Sequence, residues 1–143
     1  MKTPYMPNRI PHATAIGERA TFSRTLTEAD VALFIGVTWD VNPLHTNDRY
    51  VSEMPFHKRI VPGLLTASLL THLGGLWAFL AQEMHFTFLA PVYIGETITA
   101  EAVIAEVDQE RNWVKLDCRC INSEGKEVLR AEIHGYPGRF QDN

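Results

Sequence analysis

Apolar and polar positions follow two different rhythms along this chain. From about residue 83 they alternate with period two. Ile98, Ala100, Ala102, Ile104 and Glu106 interleave with Thr97, Thr99, Glu101, Val103 and Ala105, the pattern of a sheet with one buried face. Strands are predicted over Glu83 to Leu89, Glu96 to Val107, Asn112 to Ile121 and Lys126 to Gly135. The turn-like runs at 108–111 and 122–125 join the last three into a meander. Pro91 and Gly95 bracket the connection Val92-Tyr93-Ile94. Earlier in the chain the rhythm is helical. Ala20 to Thr25 suits a first strand, and Thr27 then caps a helix whose stripe is Val31, Phe34, Ile35 and Trp39. A loop is predicted from Asp40 to Thr46, a short helical piece from Asn47 to Ser52, and an irregular connection from Met54 to Arg59. Leu64 to Leu73 carries leucines and small residues on nearly all sides, a helix buried most of the way round, which Gly74-Gly75 ends or weakens. One enclosed helix and several antiparallel strands predict an α+β domain whose sheet curls around the helix.

The 143 residues suffice for one domain with its own core, and no repeat or linker divides them. Residues 1–16, with Pro4, Pro7 and Pro11, are expected to form an irregular arm. Charged residues are 21% of the chain and the net charge is −4, which argues against sequence-independent nucleic-acid binding. The longest apolar-rich stretch, Val61 to Ala81, is interrupted by hydroxyls, His72 and two glycines, so no membrane span is expected. Met1 to His12 has no apolar signal core, and the expected location is cytoplasmic. Cys118 and Cys120 sit at i and i+2 of a strand and are expected to be reduced core thiols on one face, not a metal framework.

Asp40-Val41-Asn42-Pro43-Leu44-His45 is the most informative stretch for chemistry. Pro43 is expected to stop a helix, leaving the carboxylate and the imidazole on one ordered loop. A free carboxylate titrates near about 3.9 and imidazole near about 6.5, so such a pair can hold a water molecule and move its proton. By itself the spacing also fits a turn-capping aspartate and an ordinary loop histidine. Pro62-Gly63 opens the enclosed helix. The first amides of a helix lack internal partners, and a glycine lets a ligand approach, so the Gly63 amide suits an oxyanion donor, although Pro and Gly are also ordinary helix-start residues. Thr66, Ser68 and Thr71 are hydroxyls on the same helix; most such groups bond a carbonyl one turn back, and spacing does not single one out. His72 is read as a satisfied core group, and His12, His57, His85 and His134 show no metal spacing. Trp39, Trp77 and Trp113 are read as core or interface aromatics. No nucleophile elbow, Walker loop or dinucleotide fingerprint occurs.

Together, D-V-N-P-L-H at 40–45, I-V-P-G-L-L-T-A-S-L at 60–69 and F-L-A-P-V-Y-I-G-E-T-I at 88–98 resemble the MaoC-like dehydratases, and within them the (R)-specific enoyl-CoA hydratases. The resemblance implies a hot-dog fold, a long central helix wrapped by a curved antiparallel sheet, with two protomers joining sheets edge to edge as a homodimer. It implies Asp40, His45 and Gly63 as catalytic positions and Asn42, Pro62, Ser68 and Thr71 as substrate-binding positions. Thr71 stands where the family has a further helix serine, and Pro62 where many relatives have histidine. The implied reaction is reversible hydration of a trans-2-enoyl thioester to the (R)-3-hydroxyacyl thioester, in which Asp40 deprotonates the water, His45 orients it and Gly63 binds the thioester oxygen. No metal or redox cofactor is implied; coenzyme A or a phosphopantetheine arm belongs to the substrate. A hot-dog thioesterase is disfavoured, because such enzymes commonly carry an acid on or near the long helix, and no Asp or Glu lies between Leu64 and Gln82. A non-catalytic thioester-binding subunit is disfavoured by the intact Asp40/His45 pair.

Overall fold

A computed structural model describes residues 15–137; the arm expected over residues 1–16 lies almost wholly outside them. Strand β1 spans Arg19–Thr25, β2 Leu80–Phe88, β3 Thr97–Asp108, β4 Trp113–Ile121 and β5 Glu127–Tyr136. They form one antiparallel sheet in the order β1-β3-β4-β5-β2, with β3, β4 and β5 as the expected meander. Each predicted strand is present. The inner face of β3 buries Ile98, Ala100, Ala102 and Ile104, as the alternation requires.

Five helical pieces lie between β1 and β2: α1 (Glu28–Thr38), α2 (Pro43–Thr46), α3 (Asp48–Ser52), α4 (Gly63–Ser68) and α5 (Leu70–Leu76). The central helix α4–α5 crosses the inner face of the sheet. Its Leu69, Leu70 and Leu73, with Trp77 beyond its end, join the same core as Ala100, Ala102, Cys118, Cys120 and Ala131. Small side chains on the sheet let the helix lie close. The architecture is a hot-dog α+β fold, but the helix differs from expectation in three ways. It is broken at Leu69, because the Ser68 hydroxyl donates to the Leu65 carbonyl at 2.6 Å, the acceptor an unbroken helix reserves for the Leu69 amide. The Leu69 amide turns instead to the Thr66 carbonyl, a tighter i−3 bond. Gly74-Gly75 does not end the helix. Termination comes at Trp77–Phe79, where the Phe79 amide bonds the Gly74 carbonyl, the Ala78 amide bonds the Gly75 carbonyl and Ala78 takes φ 47°. That is a Schellman stop with alanine in the left-handed position usually held by glycine. Nor is the helix enclosed on all sides: Leu64, Thr71, His72 and Leu76 are exposed. His72 is not a core group; its ring stacks on Phe22 at 4.0 Å.

Cys118 and Cys120 are free, buried thiols on one face of β4, and burial pushes each up to about 12. A raised folded value means that below the unfolded thiol range, near about 8.5, both states are protonated and no stability is lost. Above it the unfolded chain ionises first. Stability is therefore expected to fall as pH rises from about 9 toward 12, in urea melts followed by circular dichroism. The Cys118→Ala/Cys120→Ala double variant should flatten that decline.

Candidate active site

Helix α1 delivers the carboxylate. Thr27 and Asp30 form a capping box at its start, which fixes the helix although only Val31 is fully buried. Its end is a left-handed turn at Trp39 (φ 57°), whose amide bonds the Ile35 carbonyl. This turn sends the Trp39 ring into solvent, 82% exposed, so Trp39 is not part of the apolar stripe that the sequence suggests. The Asp40 side chain stays 42% exposed, at the mouth of a cavity. Its Oδ1 accepts the Asn42 amide at 3.3 Å, which leaves Oδ2 toward the histidine.

Pro43 does not hold the next segment as a loop. It occupies the first position of α2, where a missing N–H costs nothing, and Asn42 caps that turn by accepting the Leu44 amide at 3.0 Å. His45 rides on this turn and is buried. Its Nδ1 meets the Ile60 carbonyl at 2.7 Å, a contact that needs a proton on Nδ1 and frees the Nε2 lone pair in the neutral ring. Nε2 lies 3.7 Å from Asp40 Oδ2. That is too long for a direct hydrogen bond and suits two groups that share a third.

Both line a cavity of about 660 Å³. Its polar groups are few: Thr38, Asp40, His45 and Thr66, with the Gly63 backbone; Phe34, Phe56, Val61, Phe88, Val128 and Leu129 supply apolar wall. Gly63 opens α4 beside them. Among the described residues no acceptor takes its amide, while the Leu65 and Thr66 amides both turn to the Pro62 carbonyl. A Cβ on Gly63 would fall 2.7 Å from the Phe88 ring, so a side chain there would have to push that ring out of the cavity wall. The cavity therefore brings together Asp40, His45, Pro62 and Gly63. Asn42, Ser68 and Thr71 do not line it: Asn42 is the α2 cap, and the Ser68 and Thr71 hydroxyls donate to the Leu65 and Ser68 carbonyls.

Two contributors are not evident from sequence spacing. Thr66 is one. The other is Arg59, which grips both Glu28 oxygens at 2.7 Å, Asp48 at 2.7 Å and the His45 carbonyl at 3.3 Å. These bonds hold the Glu28 carboxyl below the usual carboxylate range and push the Arg59 guanidinium well above its own. Arg59 ties α1, α2 and α3 together behind the Asp40/His45 pair. Arg59→Lys keeps the charge but loses the fork. With Glu28 and Asp48 side chains 64% and 83% exposed, it is expected to cost no more than about 1 kcal/mol of stability. Turnover should fall about tenfold with little change in KM, as expected when Asp40 and His45 lose their mutual geometry. Thermal melts and steady-state kinetics check both.

The chain matches the MaoC like domain over residues 11–124. It is 33% identical to an (R)-specific enoyl-CoA hydratase of Rhodospirillum rubrum over 121 residues, 81% of this chain and 83% of that one. It is 34% identical to a mitochondrial 3-hydroxyacyl-[acyl-carrier-protein] dehydratase of Solanum lycopersicum, over 82% of this chain and 73% of that one. Among solved structures, an (R)-hydratase from A. caviae superposes with a TM-score of 0.83 at 25% identity, covering 89% of this chain and 99% of that one. With a family match over most of its length and the Asp40/His45 cavity at the head of its central helix, the chain belongs to the MaoC-like domain family.

Proposed function

We propose that this protein is a hydro-lyase that adds water reversibly to a trans-2-enoyl thioester, giving the (R)-3-hydroxyacyl thioester. The carrying observation is the pair Asp40 Oδ2 and His45 Nε2, 3.7 Å apart and facing one apolar cavity beside the Gly63 amide. The relatives named above as hydratase and dehydratase support the same chemistry.

In the forward direction a water bound between the two side chains gives its proton to Asp40 as its oxygen bonds C3. The C2–C3 π electrons move toward the thioester, whose carbonyl oxygen gains enolate charge under the Gly63 amide. His45, fixed through Nδ1 on the Ile60 carbonyl, orients the water with Nε2 and helps pass the proton held by Asp40 on to C2, which returns Asp40 to its carboxylate form. Water is consumed and no redox change occurs, so the residues present supply every proton transfer without metal or redox cofactor. Coenzyme A or the phosphopantetheine arm of a carrier is the thiol part of the substrate.

The acting form is proposed to be a homodimer. Strand β2 is an edge of the sheet, paired on one side by β5 alone, and Leu80, Met84 and Phe88 are each about half exposed along it. Leu64 and Leu76 on the central helix are exposed as well. An unpaired apolar edge is covered when two copies join their β2 strands. Light scattering of the purified protein measures the assembly mass. No helix among the described residues is long and apolar enough to cross a membrane, and two free thiols suit a reducing compartment, so the proposed location is cytoplasmic.

The test is loss of the enoyl-thioester absorbance on adding the protein to crotonyl-CoA, to longer 2-enoyl-CoA analogues and to a carrier-bound enoyl chain. Product chirality is read with an (R)-3-hydroxyacyl standard. Release of free thiol without loss of the double bond would make the protein a thioesterase and overturn the reading.

A further inference from the structure

Three hydroxyl side chains stand on the central helix, and two are satisfied within it. Ser68 and Thr71 each donate to the carbonyl three residues back at 2.6 Å. Thr66 does not. It is only 3% exposed, yet its Oγ1 has no hydrogen-bond partner among the described residues. The acceptor that a helical threonine would use, the Pro62 carbonyl, already receives two backbone amides. An unpartnered buried hydroxyl is destabilising to the free protein, and one that also lines an otherwise apolar cavity is placed to meet a ligand.

Its position says which part of the ligand. Thr66 is three residues after Gly63, so the two lie on neighbouring positions of one helix face. Helical side chains lean toward the N-terminus, which tips the Thr66 side chain over the turn that Gly63 begins. The Gly63 amide and the Thr66 hydroxyl thus address the same end of the cavity.

Building on the hydratase reading above, we propose that Thr66 Oγ1 donates a second hydrogen bond to the thioester carbonyl oxygen, completing a two-donor oxyanion site with the Gly63 amide. As water oxygen bonds C3 and its proton passes to Asp40, the displaced π pair becomes C1–C2 enolate density with its charge on that oxygen. Thr66 strengthens its bond as the charge grows and gives up no proton. When C2 is protonated the carbonyl re-forms and the bond weakens again. The contribution is greater to the transition state than to the bound substrate.

Thr66→Val removes the hydroxyl and keeps the shape; Thr66→Ser keeps the donor. With crotonyl-CoA, Thr66→Val is expected to lower kcat about 100-fold with KM little changed, as for loss of one oxyanion donor. Thr66→Ser should recover most of the rate, and Thr66→Val should melt no lower than the parent. Acetoacetyl-CoA supplies a readout without turnover, because its enolate absorbs in the near ultraviolet: the parent and Thr66→Ser should raise the enolate fraction on binding, and Thr66→Val should not. Thr66→Val with parental kcat and parental enolate fraction overturns the proposal while leaving the hydratase reading intact. A rate loss in Thr66→Val that Thr66→Ser does not relieve also overturns it, assigning the residue to packing. A parent protein that hydrates no enoyl thioester overturns the hydratase reading itself.

Discussion

Asp40→Asn is expected to abolish hydration, lowering kcat by about 10³-fold or more, in the upper range for loss of a general base. Asparagine is nearly the same shape, and its carbonyl oxygen still accepts the Asn42 amide that Asp40 Oδ1 holds at 3.3 Å. The turn after Trp39 therefore survives. What goes is the one carboxylate that lines the cavity among the described residues. The amide left in its place cannot take a proton from water, and its NH₂ face offers His45 a donor where the carboxylate offered an acceptor. Because the carboxylate is replaced by a neutral group of equal size, substrate affinity should change far less than turnover. Loss of the enoyl band measures the rate, and a melting temperature within a few degrees of the parent shows that the fold is kept. Near-parental turnover in Asp40→Asn would remove Asp40 from the mechanism.

The strands were the most readable part of this chain, because a sheet with one buried face writes its period directly into the residues. β3 shows this best: Ile98, Ala100, Ala102 and Ile104 alternate inward, until a register shift between Ile104 and Glu106 leaves Glu106 exposed instead of on the buried face. What periodicity missed were contests between side chain and backbone. Ser68 diverts the Leu65 carbonyl and breaks the central helix, yet nothing in the spacing separates Ser68 from Thr66, whose hydroxyl is left unpartnered. Gly74-Gly75 reads as a stop, but the terminating hydrogen bonds lie a turn later around Ala78. Pro43 reads as a helix breaker and instead starts a turn of helix. For the site, D-x-N-P-x-H put the acid and the imidazole close in sequence, so their meeting was legible. Arg59 was not: its partner Glu28 is 31 residues away, and only the folded chain brings them together. Trp39 was misplaced for a related reason, since a left-handed helix end reverses the direction in which the stripe would have continued.

The second large effect belongs to His45, and two variants separate what its nitrogens do. His45→Gln can place an amide near the position of Nε2 but has no donor for the Ile60 carbonyl, which Nδ1 meets at 2.7 Å. His45→Asn can place its NH₂ near Nδ1 and hold that carbonyl, but it does not reach the shared water. Leaving a buried carbonyl without its donor costs about 1–3 kcal/mol. His45→Gln should therefore melt below the parent, and His45→Asn close to it. Turnover should follow the other nitrogen. In His45→Asn it is expected to fall about 10²–10³-fold, since nothing remains at 3.7 Å from Asp40 Oδ2 to orient water or relay its proton. His45→Gln should fall about as far, because an amide can position water but cannot relay a proton at neutral pH. If His45→Asn retained parental kcat, the ring would be only a strut between α2 and Ile60, and the proton transfers would have to run through Asp40 alone.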